Sequence, residues 1–138
     1  MRVAQLAEKM GVTADTVRFY TRVNVLRPVK NKVNGYKEFG PRDEKRLHFA
    51  LCARKLGFTV EDIRKIIDHS DCGKSPCSMV RALLEERLVQ VEKDAAQTRR
   101  LYKRMREAVQ KWKQMPDGAP NGKAICTLIE NWDSPDYG

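Results

Sequence analysis

The chain has 138 residues, of which 41% are hydrophobic, and a net charge of +9; this length suits one compact domain or a small domain with an oligomerising extension. No apolar run approaches the roughly 20 residues of a membrane span, and Met1 leads into a charged segment rather than a signal peptide, so we expect a cytoplasmic protein with no membrane partner. Residues 1–56 hold 13 Lys and Arg against 5 Asp and Glu, and a basic surplus confined to one segment is typical of proteins that bind DNA phosphates.

A helix-turn-helix is predicted between residues 3 and 20. The first helix has apolar side chains at helical spacing, which are Val3, Leu6, Ala7 and Met10. Gly11 supplies the permissive backbone of the turn, and Thr13 is the predicted N-cap of the second helix. In this motif the second helix enters the major groove of DNA. The plainer interpretation is an ordinary helical hairpin.

The segment from Arg27 to Gly40 is predicted to form a small two-stranded wing. Asn34 and Gly35 together are a strong hairpin signal. The segment also carries three cations that can lie on DNA phosphate, Lys30, Lys32 and Lys37. The alternative is a solvated loop.

Two further helices follow the wing. Pro41 begins the first of them and Gly57 ends it. The second has Thr59 as its N-cap. It is expected to bury four apolar side chains, Val60, Ile63, Ile66 and Ile67. A polar loop is then predicted from His69 to Ser75.

A long helix is predicted from Pro76 to Lys113, with Ser75 as its N-cap. The residues of one stripe follow each other at alternating intervals of four and three positions, which is the pattern of a coiled coil. The stripe consists of Leu84, Leu88, Val91, Ala95, Thr98, Tyr102, Met105, Val109 and Trp112. The helix would be roughly 55 Å long, too long for the small N-terminal domain to cover. The sequence offers no companion helix of comparable length, so we expect homodimerisation through a coiled coil.

The predicted architecture is mainly α and has three parts. Residues 1–69 form a winged helix-turn-helix DNA-binding domain with its supporting helix pair, and residues 70–113 form a linker loop and an antiparallel coiled-coil dimerisation helix. Residues 114–138 form a C-terminal effector-binding loop and a short helix, predicted from the amphipathic pattern that begins at Cys126.

Four cysteines without an export signal are more consistent with thiols, metal ligands or core residues than with disulfides, and they are Cys52, Cys72, Cys77 and Cys126. Cys77 lies in the first turn of the long helix, near its positive end, which favours metal binding by thiolate. Cys126 lies just beyond the other end, on the order of 50 Å away in one chain. The two sulfurs share a metal only if two helices run antiparallel, so that Cys77 meets Cys126 of the partner subunit.

This arrangement resembles the MerR family of bacterial transcription regulators over essentially the full chain. In the helix-turn-helix the likeness rests on Leu6-Ala7, on Val12-Thr13 and on the run from Thr16 to Tyr20. Around the wing it rests on Leu26-Arg27-Pro28 and Asn34-Gly35-Tyr36-Lys37, and in the next helix pair on Leu56-Gly57-Phe58 and Glu61-Asp62-Ile63.

The resemblance implies a set of DNA contacts. They are Thr13, Thr16, Arg18 and Tyr20 of the recognition helix, with Tyr36 and Lys37 of the wing; Lys32 joins them as a wing cation. The family more often has arginine at the position of Lys37, and an ammonium is only a point charge where a guanidinium grips phosphate with two hydrogen bonds.

Family members are dimers that bind a promoter whose spacer is too long. The inducer lets them bend and untwist this DNA, so that RNA polymerase meets both promoter elements. The resemblance therefore implies double-stranded promoter DNA and RNA polymerase as partners. It also implies an activator that supplies about a few kcal/mol of DNA deformation.

In the metal-sensing members, a cysteine at the start of the dimerisation helix and another before the C-terminal short helix bind the inducer, and Cys77 and Cys126 fall on these positions. The copper(I)-sensing branch typically has serine at the first position. A divalent heavy-metal ion, which is zinc, cadmium, lead or mercury, is therefore the implied inducer.

Divalent sensors usually have a further cysteine ahead of the last one, where this chain has Met115 and Pro116. Cys72 and His69 are candidates to complete the site; otherwise Cys72 is a solvent-facing loop thiol and His69 an ordinary histidine at a helix end.

Other functions remain open. Cys52, one turn after His48, is expected to be buried in the core, but some relatives in the family sense aldehydes or oxidants through a lone cysteine on this helix. An architectural DNA-binding protein without a ligand is a further alternative. An enzyme is not expected, because His48 and His69 are the only histidines and no glycine-rich phosphate loop is evident.

Overall fold

The computed structural model describes residues 1–119 and 122–133, and most of these residues are helical. In chain order the elements are α1 Val3–Met10, α2 Ala14–Arg22, β1 Val29–Lys30, β2 Lys37–Glu38, α3 Pro41–Lys55, α4 Val60–Asp71, α5 Cys77–Trp112 and α6 Thr127–Glu130. The chain divides into two packed units, Met1–Val89 and Gln90–Gly138. Residues 120, 121 and 134–138, which belong to the predicted C-terminal part, lie outside the described residues.

The predicted helix-turn-helix is formed by α1 and α2. Gly11 ends α1 with a φ of 69°, a conformation that glycine adopts without strain. The Thr13 hydroxyl accepts a hydrogen bond from the Thr16 amide at 3.1 Å, which confirms Thr13 as the N-cap of α2. Leu6 of α1 and Val17 of α2 are fully buried, so the pair rests on the core.

The predicted wing is the antiparallel pair β1 and β2, in which Val29 faces Glu38 and Lys30 faces Lys37. A two-residue type I′ turn at Asn34 and Gly35 would need a positive φ at both residues. Only Gly35 of this pair has one, 74°, and the turn is therefore wider. The Asn31 side chain accepts hydrogen bonds from two amides of the turn, those of residues 33 and 34, at 2.8 and 3.3 Å. The turn is closed by a hydrogen bond that the Asn31 amide donates to the Tyr36 carbonyl at 2.7 Å.

The core of the first unit forms where α3 and α4 pack with the helix-turn-helix. Its fully buried side chains include Leu6, Val17, Leu47, Ala50 and Ile63. Thr59 caps α4 as predicted, because its hydroxyl accepts from the Asp62 amide at 3.1 Å. α4 continues to Asp71, so His69 is helical and the loop predicted from His69 begins only at Cys72. Ion pairs from Asp71 to Arg42 and Arg46 of α3 hold this last turn, a contact between helices that the local sequence does not signal.

α5 is a single helix of 36 residues. It begins one residue later than predicted, and the Pro76 carbonyl accepts its first helical hydrogen bond from the Val80 amide at 2.9 Å. Its first turns pack on the core through Met79, Val80, Leu83 and Leu84. Further along, much of the predicted stripe is exposed, as at Leu88, Val91, Tyr102, Met105 and Val109. The described part of the chain therefore leaves this face of α5 uncovered.

In the second unit, the predicted short helix is the single turn α6. Gly118 lies against it, since a Cβ atom at this glycine would sit 2.8 Å from the Thr127 Oγ1. The loop after α5 thus packs closely on α6. None of the helices within the described ranges is both long and apolar enough to cross a bilayer.

Candidate DNA interface and thiol site

Most of the predicted contacts of the recognition helix, α2, lie at the surface. Thr13 and Arg18 are exposed and Thr16 is half-buried. The Arg18 guanidinium donates to the Asp15 carboxylate at 2.9 Å, and the Asp15 side chain is itself 93% exposed. This ion pair lies on the solvent face of the helix, where both side chains are exposed.

Tyr20 differs from the other predicted contacts, because it is only 5% exposed and belongs to the core. Its ring packs edge-on against Phe19, with centroids 5.2 Å apart. An aromatic ring buried in this way stabilises the position of α2. Its contact with DNA stays a prediction.

The wing presents its predicted contacts to solvent. Lys32 and Lys37 are exposed, and Tyr36 is 55% exposed. Tyr36 has a neighbour that was not predicted, Arg2, whose guanidinium carbon lies 4.1 Å from the centre of the tyrosine ring. No local spacing signals this pair, because its members are far apart in the chain.

A second set of arginines is held by carboxylates at the end of α4. Asp71 accepts from Arg42 at 3.2 Å and from Arg46 at 2.6 Å, and Asp68 accepts from Arg27 at 3.4 Å. Burial alone would raise the pKa of Asp71, but the hydrogen bonds and charges of the two arginines outweigh it and lower the pKa. The last turn of α4 is therefore tied to the start of α3 by charge.

The third turn of α5 is tied to α4 in a similar way. The Arg87 guanidinium donates to the buried Asp62 carboxylate at 3.2 Å. Burial would raise the pKa of Asp62, but hydrogen bonds from Thr59 and the charge of Arg87 lower it. The two ion-paired carboxylates, Asp62 and Asp71, thus fix both ends of α4, the helix that precedes the cysteine loop.

Cys72 and Cys77 bracket the loop between α4 and α5, and both thiols are exposed. Cys72 is the C-cap of α4, and Cys77 is the first residue of α5, with its amide 3.5 Å from the Ser75 hydroxyl. His69 lies one turn before Cys72 and is half-buried. Within the described residues of one chain, no three His, Cys, Asp or Glu side chains are grouped so that they can hold a metal ion.

Cys126 lies in the second unit, immediately before α6. The Glu130 carboxylate accepts hydrogen bonds from the amides of Ile125 and Cys126, both at 2.9 Å. The carboxylate therefore fixes the backbone that carries the Cys126 thiol, which is partly buried. Glu130 is the fourth residue of α6, one position beyond the usual capping carboxylate, so the spacing of the sequence does not signal this role.

Cys52 is not where the sequence analysis expected it. The thiol is exposed rather than buried, and its sulfur lies 3.7 Å from the His48 Nε2. The interpretation of Cys52 as a core residue is therefore wrong. The positions next to it, Leu51 and Ala53, pack on or in the core instead, because the face of α3 that meets α4 is turned away from Cys52.

Comparison with known proteins gives two matches to family models. The model described as MerR HTH family regulatory protein covers residues 1–70, and the model described as MerR, DNA binding covers residues 44–108. The chain belongs to the MerR family. The MerR helix-turn-helix and wing are thus the DNA-binding part of a transcriptional regulator, and the chain is a regulator rather than an enzyme.

Individual relatives match almost the whole chain. A probable heavy metal-dependent transcriptional regulator of Haemophilus influenzae is 22% identical over 91% of this chain and 94% of its own length. The regulator ZntR of Escherichia coli K12 is 27% identical over 94% of this chain and 89% of its own length. These MerR-family relatives include regulators that respond to heavy metals.

The fold itself matches the solved structure of a transcription regulator. The transcription regulator PbrR691 from Ralstonia metallidurans CH34, crystallised with lead(II), superimposes with a TM-score of 0.72 at 21% identity, over 95% of this chain and 98% of that one. This likeness confirms the predicted mainly helical fold, with an N-terminal helix-turn-helix, a small wing and a long C-terminal helix.

Proposed function

We propose that this MerR-family regulator is a homodimer that senses a divalent heavy-metal ion through thiolates and activates a promoter by distorting its DNA. The observation that carries the proposal is the placement of exposed Cys77 at the first residue of a 36-residue helix, with Cys126 on a carboxylate-fixed backbone after that helix ends. The relatives named for heavy metals support it.

The donor set fits a soft or borderline ion. Cysteine thiolates select such metals, and zinc is bound mainly by cysteine and histidine. Cys77 and Cys126 would hold the ion, with Cys72 as a third thiolate and His69 as a further candidate. The chain's described residues bring no three of these together, so the proposal places the site between two subunits whose long helices run antiparallel.

The antiparallel pairing accounts for the uncovered stripe of α5. Side chains such as Leu88 and Met105 are more than half exposed in one chain, and covering apolar surface is the usual driving force of association. A second α5 in the opposite direction covers the stripe and carries the Cys126 end of one subunit to the Cys77 end of its partner.

On DNA, the two recognition helices and wings of the dimer would grip both flanks of the promoter. The exposed residues of these elements include Arg18, Lys32, Tyr36 and Lys37. Distorting the central base pairs of the promoter costs about a few kcal/mol of free energy. The contacts of the protein with both flanks of the promoter offset this cost. RNA polymerase then meets both promoter elements in the required orientation.

The test is transcription in vitro with RNA polymerase from a MerR-type promoter with a lengthened spacer, titrated in turn with zinc, cadmium, lead and mercury ions. We expect Cys77→Ser and Cys126→Ser to weaken the response by at least about tenfold, the scale reached even by groups that only support metal ligands. DNA affinity without metal should stay unchanged in both variants. A response to metal that survives both substitutions would refute the proposal, and Cys72→Ser and His69→Ala assign the remaining ligands.

One observation favours a second candidate, a sensor of electrophiles or oxidants. Cys52 is exposed and an imidazole lies 3.7 Å from its sulfur, and a histidine beside a thiol can accept its proton. Cys52→Ser is therefore the matched variant in the same assay. If the protein senses metal, we expect Cys52→Ser to respond to metal like the unaltered protein. If the protein senses an electrophile or oxidant, we expect Cys52→Ser to lose the response to an aldehyde or peroxide.

A further inference from the structure

The wing contains cations but no guanidinium of its own. Between β1 and the start of α3 its basic residues are all lysines. The arginines on either side of the wing are already paired with carboxylates, Arg27 with Asp68 and Arg42 with Asp71. A lysine offers a phosphate one compact charge, whereas an arginine offers a planar fork that donates two hydrogen bonds.

Arg2 reaches the wing from the other end of the DNA-binding unit. The Met1 carbonyl accepts a hydrogen bond from the Phe39 amide at 2.6 Å, which attaches the first residues to the end of β2. The Arg2 amide donates to the Gln5 side chain at 2.9 Å at the start of α1. The Arg2 carbonyl in turn accepts a hydrogen bond from the Leu6 amide at 3.0 Å, so the backbone on both sides of the Arg2 side chain is held.

The Arg2 guanidinium lies against the exposed ring of Tyr36, with its carbon 4.1 Å from the ring centre. A guanidinium over the face of an aromatic ring is attracted by the ring quadrupole. Since none of the salt bridges within residues 1–119 and 122–133 involves Arg2, no carboxylate there competes for its charge. Its in-plane N–H groups are free to meet an anion in a way that those of Arg27 and Arg42 are not.

We infer that Arg2 and Tyr36 form a phosphate-binding pair at the edge of the wing. Arg2 donates to a backbone phosphate of the DNA, and the Tyr36 ring holds the guanidinium in the orientation that this contact needs. The pair supplies the two-pronged grip that Lys37 does not. The inference rests on the DNA-binding part of the proposed function and is independent of metal sensing.

The test is the salt dependence of DNA binding, measured by fluorescence anisotropy. The probe is a labelled duplex selected from a randomised library with the unaltered protein, and any purification tag is placed at the C-terminus. If one phosphate contact is lost, the slope of log affinity against log salt concentration falls by about 1, and binding weakens uniformly across sequences. We expect this result for Arg2→Ala and for Arg2→Gln.

Matched variants distinguish the effect of the Arg2 charge from the effect of how Tyr36 orients the Arg2 guanidinium. Arg2→Lys should keep most of the salt slope but bind more weakly, because the charge remains while the fork is lost. Tyr36→Leu should weaken binding in the unaltered protein and have a much smaller effect in the Arg2→Ala background, since the ring acts on the phosphate through Arg2. Lys65→Ala removes an exposed cation from α4 and should leave the slope unchanged.

Thermal unfolding of each variant by circular dichroism shows whether the fold is kept. If Arg2→Ala unfolds more easily, the Arg2→Gln and Arg2→Lys variants carry the test. An unchanged salt slope in folded Arg2 variants, or fully additive effects of Arg2→Ala and Tyr36→Leu, would overturn the inference. Failure of the unaltered protein to bind any duplex would instead count against the proposed function.

Discussion

At the scale of single residues, buried or half-buried carboxylates organise the DNA-binding unit. Asp43 accepts hydrogen bonds from the Arg27 and Gly40 amides at 2.8 and 3.2 Å, which joins the two ends of the wing to α3. Asp62 and Asp71 hold arginines of α5 and α3 respectively. A buried carboxylate with such partners is costly to leave unpaired, so these residues specify how the helices meet.

The first prediction concerns Asp62. The Asp62→Asn variant should lose about 1 to 3 kcal/mol of unfolding free energy at pH 7, because it weakens hydrogen bonds to a charged group. The folded-state pKa of Asp62 lies below its usual value of 3.8, so its stabilisation is complete at pH 7 and is lost as the pH falls through the folded-state pKa. Urea unfolding at pH 7, 5 and 3.5 measures the difference between the two proteins, which should narrow on acidification.

The control for this prediction is Glu61→Gln, in the same first turn of α4. The Glu61 side chain is largely exposed, and its one ion pair within residues 1–119 and 122–133 is with Lys65; exposed pairs contribute little to stability. We expect a change within about 0.5 kcal/mol at pH 7. An Asp62→Asn variant that is as stable as this control would contradict the role given to the buried carboxylate.

At the scale of elements, the tip of the wing is held by hydrogen bonds of its own turn, whereas the two ends of the wing are joined to α3. The Asn31 side chain orders two amides of the turn, and the Asn34 side chain accepts from the Tyr36 amide at 3.0 Å. Val33 at the tip is 96% exposed. A two-residue strand pair is marginal without such support, so the position of Tyr36 depends on these local hydrogen bonds.

The second prediction follows for Asn31. Asn31→Ala removes two hydrogen bonds, each worth about 0.5 to 1.5 kcal/mol, and the loss should fall on the wing alone. We expect DNA affinity to fall severalfold while the melting temperature hardly changes. Anisotropy with labelled duplex and hydrogen exchange of the wing amides measure the two effects. Val33→Ala, in the same turn, should change neither the DNA affinity nor the hydrogen exchange of the wing amides. If both variants lost the same DNA affinity, Asn31 would have no special role in the wing.

At the scale of the whole molecule, the uncovered stripe of α5 implies a partner. Exposed apolar side chains recur along this helix at coiled-coil spacing, from Leu88 to Val109. Scattered apolar residues on a surface are ordinary, but apolar residues that recur on one face of a helix at this spacing are typical of an interaction site. A DNA regulator with one recognition helix per chain also gains affinity when two chains bind together.

The third prediction tests this pairing through Met105, which is 60% exposed in one chain. Met105→Glu should shift the protein from dimer to monomer, because burying an unpaired carboxylate costs about several kcal/mol and every 1.4 kcal/mol or so weakens association about tenfold. Sedimentation velocity measures the mass. Lys103→Glu introduces the same residue on a face that is polar in the sequence and should remain a dimer. If the unaltered protein sediments as a monomer, the dimer is excluded.

The features that the sequence determined by itself are those that depend on neighbours in the chain. Thr13 and Thr59 are N-caps because their hydroxyls accept from amides three residues ahead, and Gly11 ends a helix because its own φ is positive. The positions of the cysteines at the helix ends follow in the same way. Such contacts are short-range, so residue type and spacing are sufficient to predict them.

Which surfaces face solvent, and which distant residues meet, depends on how the helices pack together. Cys52 is exposed and Tyr20 is buried, because helical spacing defines a face but the neighbouring helix decides whether that face is covered. Arg2 meets Tyr36 and Arg87 meets Asp62 across long stretches of chain, where no local pattern records the contact. The physical reason is that these contacts arise only when separate elements pack, and their geometry depends on the whole core.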